Sequence, residues 1–159
     1  MCHGRAGGGG ESANPIANAV VEGYRAEMLP SKLRSLPYLV HTNRELGLML
    51  AGKKPLASFV DGKDSFPAAK TRYLRLFDRH VAEGRLVRSD HLSEAIGSRR
   101  YICHRILFAL PGEAWSMNAM IELMTADDGW SCERERKEGE LLGYEDWMND
   151  HWLQFVFGN

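Results

Sequence analysis

The sequence predicts an α+β fold: one domain built on an antiparallel sheet of about four strands, with helices packed on it. Three observations predict it. Residues 66–83 place Tyr73, Leu74, Leu76, Phe77, His80 and Val81 on one arc at helical spacing, with Arg72, Arg75 and Arg79 opposite. Residues 99–110 (RRYICHRILFAL) are rich in strand formers. Beyond them Trp115, Met117, Ala119, Ile121 and Leu123 alternate with Ser116, Asn118, Met120, Glu122 and Met124, the period of a half-buried strand.

Taken in order, residues 1–13 (MCHGRAGGGGESA) are Gly-rich, hold almost nothing to bury and read as a flexible tail. Residues 14–159 read as the single domain. Asn14-Pro15 opens a helix over 14–29, where Ile16, Val20, Tyr24 and Met28 recur at four-residue steps. Thr42 to Glu45 has the capping-box pattern ahead of a short helix over 43–51, stopped by Gly52. Residues 56–60 read as a strand, followed by the turn Asp61 to Asp64. The helix over 66–83 stops at Gly84, and 85–91 begins a second strand. Pro111-Gly112-Glu113 is turn chemistry, so 99–110 and 114–125 are expected to pair as a hairpin. The competing helix for 114–125 rests on the propensity of Ala, Met, Glu and Leu. Residues 132–141 carry pairs such as Glu133 and Lys137 that suit a solvated helix. A last helix over 144–156 puts Tyr144, Trp147, Met148, His151, Trp152 and Phe155 on one face.

The charge is sorted along the chain. Residues 1–112 hold 17 Lys and Arg against 10 Asp and Glu, net +7; residues 113–159 hold 3 against 11, net −8. The whole-chain value of −1 hides this layout. It allows a basic face for an anionic partner, an acidic face for a basic partner, or two segments that neutralise each other. The 159 residues suffice for one real core, and 44% apolar with 26% charged residues is ordinary globular composition. No apolar run is long enough to span a bilayer and no signal-like segment opens the chain, so a cytoplasmic protein without membrane contact is expected. Three widely spaced cysteines, Cys2, Cys103 and Cys132, signal neither a disulfide framework nor a zinc site. The start MCHGR is similar to the MCGR start of the SRAP family, whose members use that cysteine on abasic DNA. The resemblance is confined to these residues and implies nothing for the rest of the chain.

Several groups are candidates for chemistry. Arg72, Arg75 and Arg79, with Arg100 beside them, form a candidate anion-binding patch, because guanidiniums hold phosphates well. A helix followed by a basic hairpin resembles a winged helix with 66–83 as the reading helix, but the helix-turn-helix that should precede it is missing. Cys103 and His104 are adjacent on a strand and face opposite ways, so they cannot act as nucleophile and base together. His41, beside Arg44 and Glu45, forms a small polar cluster. Glu122, Asp127 and Asp128 lack the lysine that a metal-dependent nuclease needs nearby, and Asp-Asp-Gly is ordinary turn composition. No motif asks for a metal or cofactor, and none identifies a catalytic residue. The composition favours a small protein that binds another protein or itself, through Tyr144, Trp147, Met148, His151, Trp152 and Phe155. Nucleic-acid or polyanion binding through the arginines, and an enzyme with a site assembled from scattered His, Cys and acidic residues, are the alternatives.

Overall fold

The computed structural model describes residues 31–96 and 100–158, so the expected tail, the helix over 14–29 and the MCHGR string lie outside the described residues. After a helical turn at Ser31–Arg34 come α1 (Glu45–Leu50), β1 (Leu56–Gly62), α2 (Ala68–Ala82), β2 (Val87–Ile96), β3 (Arg100–Ala109), α3 (Trp115–Thr125), α4 (Cys132–Leu141) and α5 (Asp146–Phe157). The class is α+β, with a three-stranded antiparallel sheet in the order β1-β3-β2.

The middle strand explains the layering. Ile106 and Phe108 point to one face and Leu107 and Ala109 to the other, and all four are buried. On the first face they meet Phe77 and Leu74 of α2, Met49 of α1 and Phe59 of β1. On the second they meet Met120 of α3 and Leu141 of α4. Helices therefore cover both faces of the sheet. Phe77 carries the first core: its ring lies 4.6 Å from Phe108 and 5.2 Å from Phe59. The α2 phase read from the sequence is observed for Leu74 and Phe77, which are buried, while Leu76, expected on the same arc, is exposed; Gly84, at φ 71°, ends the helix where a side chain would be strained.

The strand expected over 114–125 is a helix, and no hairpin joins 99–110 to it. Pro111–Glu113 makes a turn of 3₁₀ helix that leads straight into α3. Met117, Met120, Ile121 and Met124 follow helical spacing and all face the second core, while Trp115, first in the apparent alternation, is 61% exposed. Helix propensity and this stripe outweigh a period of two that arises by coincidence. The hairpin is instead β2 with β3, paired from Val87↔Ala109 to Ile96↔Arg100. The capping box at Thr42 does not form: no side chain caps α1, and Glu45 accepts a hydrogen bond from the Tyr73 hydroxyl at 3.0 Å. In α4, Ser131 caps the helix by accepting from the Arg134 N–H, and Lys137 lies 3.5 Å from Glu140, not beside Glu133.

Candidate functional site

The sorted charge of the sequence becomes charge sorted across the sheet. The arginines of α2 lie over one face and the acidic helices α3 and α4 over the other, with α5 packed on α4. Among the described residues, ion pairs such as Arg88–Asp78, Arg85–Glu83, Arg136–Asp150 and Arg134–Asp128 join partners of one segment.

Arg72, Arg75 and Arg79 are all exposed, while Tyr73 is half-buried and Phe77 is in the core. Arg100 is exposed too, 3.5 Å from Glu94 on the facing strand. The four candidate anion-binding residues thus stand at the surface, three on one helix and the fourth on the β2–β3 hairpin.

The six interface candidates do not stay together. Trp152 turns inward, 9% exposed, and its indole N–H donates to Glu135 of α4 at 2.6 Å. Trp130 donates to the other oxygen of the same buried carboxylate at 2.7 Å. Asn149 and Leu153 complete the buried side of α5, and Gly139 of α4 lets Asn149 approach closely. The helix therefore docks on α4. The opposite side of α5 carries Trp147 (43% exposed), His151 and Phe155 (41% exposed), at i, i+4 and i+8. Tyr38 packs edge-on against Trp147 with ring centroids 5.5 Å apart. Met148 is half-buried between the two sides, and Tyr144 belongs to a separate cluster. Glu145, Asp146 and Asp150 are exposed on the same helix and its cap, and Glu145 accepts from the Trp147 indole at 2.9 Å.

That separate cluster is a knot of buried titratable groups. Lys54 is 2% exposed, its ammonium donating to the Leu142 carbonyl at 2.6 Å and lying 3.1 Å from His41 Nδ1. His41 stacks on Tyr144 at 3.9 Å, and its backbone N–H donates to the Tyr144 hydroxyl. Gly143, at φ 80°, makes the approach: a side chain there would meet Pro55 at 2.6 Å. Burial lowers the Lys54 amine to about 7, with Glu45 opposing the shift. Burial and the neighbouring Lys54 lower His41 to about 4. Burial pushes Tyr144 up to about 12 and raises Glu45. The sequence marked His41 with Glu45, and Tyr144 apart from them, and missed Lys54, the group that joins them. Chemically the knot ties the start of β1 to the α4–α5 turn.

The remaining candidates are dispersed. Cys103 and Cys132 are not joined in a disulfide, and the first is half-buried and the second buried. His104 Nε2 lies 2.8 Å from Asp90, which Arg88 also holds; that hydrogen bond from Arg88 is the main reason the Asp90 carboxyl is held low. Cys103 faces the other side of the strand, as alternation requires. Asp127 and Asp128 are exposed in the loop after α3, with Asp128 3.5 Å from Arg134. Among the described residues, no three His, Cys, Asp or Glu side chains gather as a metal site, and no helix is long and apolar enough to cross a membrane. No family model matches the sequence, and neither a curated protein nor a solved structure matches the chain.

Proposed function

We propose that this is a small cytoplasmic protein that acts by binding another protein, and that the exposed side of α5 is the surface it uses. One observation carries the reading. Trp147, His151 and Phe155 form a stripe along two turns of a helix whose other side is already committed to α4. Exposed tryptophan and phenylalanine in line are the composition of interface anchors. The chemistry of the partner follows from the rim. Glu145 and Asp146 flank the stripe, Asp150 beside them is paired with Arg136, and the segment from 113 to 159 is net negative by eight charges. A segment bearing apolar residues at helical spacing among lysines or arginines would bury its apolar side on the stripe and set its charges against those carboxylates.

The test is a fluorescence titration with two synthetic amphipathic peptides of the same apolar pattern, one with lysines and one with glutamates at the polar positions. The lysine peptide should shift the emission of the exposed Trp147 to shorter wavelength, and added salt should weaken it. The glutamate peptide should leave the emission unchanged. Equal shifts with both peptides, or none with either, would count against the reading.

A further inference from the structure

A second surface lies across the sheet from α3 and α4. Arg72, Arg75 and Arg79 have no carboxylate of the described residues within ion-pair distance. Other arginines are engaged: Arg85 with Glu83, Arg88 with Asp78, Arg100 with Glu94, Arg105 with the Ser58 hydroxyl, Arg134 with Asp128 and Arg136 with Asp150. Asp78, the acid of α2, is held by Arg88 and does not serve the stripe. The three guanidiniums span seven positions, about 10 Å along the helix axis. Nearby, β2 and β3 run three residue pairs beyond the last pair that β3 makes with β1, so this end of the hairpin projects as a two-stranded arm. Arg100 stands on the arm, Lys63 sits in the turn where its backbone N–H donates to Ile102, and the side chains of Leu92 and Ile102 are half-exposed. Leu92 and Ile102 share the sheet face of Ile106 and Phe108, the face on which α2 packs.

We propose that this side of the molecule binds the phosphate backbone of a nucleic acid, with Arg72, Arg75 and Arg79 on successive phosphates and the β2–β3 arm alongside. Guanidiniums in a row suit a linear array of phosphates. A flat lipid surface fits less well. It would meet α2 as a ridge on the sheet, with Leu76 the large apolar side chain that the helix exposes there. The acidic helices lie behind the sheet and do not compete for the arginines.

The experiment measures binding of the full chain to a short mixed-sequence DNA duplex, to a single-stranded RNA of the same length and to vesicles containing phosphatidylserine, over a range of salt. A nucleic acid should bind, with log affinity falling against log salt at a slope of about −2 to −3 for three phosphate contacts. The triple variant Arg72→Gln, Arg75→Gln, Arg79→Gln should keep its circular dichroism and melting temperature, lose at least about tenfold in affinity and show a flatter slope. Trp147→Ser with Phe155→Ser should bind as the wild type does, which separates this surface from that of α5. Failure to bind either nucleic acid at low salt overturns the proposal. So does binding to vesicles alone, or unchanged affinity in the triple variant.

Discussion

Glu135 accepts an indole N–H on each oxygen, from Trp152 at 2.6 Å and Trp130 at 2.7 Å, and is 2% exposed. Three substitutions take this arrangement apart. Trp152→Ala removes the ring and its hydrogen bond, and a buried tryptophan replaced by alanine typically costs about 3–5 kcal/mol. Trp152→Phe keeps most of the ring and removes the donor; hydrogen bonds to charged groups are worth about 1.5–3 kcal/mol, so a loss in that range is expected. Glu135→Gln is the sharper test, because it changes neither size nor shape. Both partners are donors, so the new amide NH2 must face one indole N–H with no acceptor between them. A loss of about 1–3 kcal/mol follows. Chemical denaturation followed by far-ultraviolet circular dichroism measures all three, with the slope against denaturant unchanged if the unfolded state is not altered. If Glu135→Gln matches the wild type in stability and Trp152→Phe loses nothing, the carboxylate does not hold α5 to α4 as described.

Lys54 has its folded-state pKa lowered to about 7, so the unfolded chain holds a proton that the folded chain lacks from there up to the ordinary lysine value. Stability should therefore rise with pH through that window, by an amount of order a few kcal/mol, and Lys54→Met should flatten the rise in melts at pH 7 and pH 10. In the acid range His41, lowered to about 4, loses stability as pH falls from the ordinary histidine value, while the raised Glu45 acts in the opposite sense; in the alkaline window Lys70, also lowered by burial, adds to the rise and the raised Tyr144 opposes it near pH 10, so the difference between wild type and Lys54→Met reads the lysine. Gly139→Ala should destabilise by about 1–3 kcal/mol although alanine favours helices, because its Cβ would come within 2.9 Å of Asn149 Cγ; a stabilised variant in thermal melts would contradict that packing.

How much of this was legible in the sequence differs from element to element. The phase of α2 was plain because Leu74 and Phe77 mark its core side and arginine recurs at every turn of its outer side, although Leu76, apolar by type, stays exposed. The central strand was plain because a sheet covered on both faces needs a continuous apolar run, and Ile106 to Ala109 supply it. Over 114–125 the apolar residues satisfy two periods at once, and tertiary packing alone selects the stripe from Met117 to Met124. The tryptophans of the last helix were visible, but their division was not: the buried Glu135 that draws Trp152 inward lies in a segment that reads as wholly solvated. Lys53 and Lys54 are identical neighbours in sequence, yet one is exposed and the other buried against a carbonyl 88 residues away. The Asp90–His104 pair depends on the register of β2 against β3, which composition does not encode.

The central claim is that the exposed stripe of α5 holds a cationic amphipathic partner. Its most direct test is the affinity of the lysine peptide for the Trp147→Ser, Phe155→Ser double variant, measured by calorimetry so that no tryptophan signal is needed. Loss of two interface anchors of this kind typically costs about 2–4 kcal/mol, so affinity should fall by more than about tenfold while the melting temperature stays close to that of the wild type. Unchanged affinity in a variant that is still folded would contradict the claim.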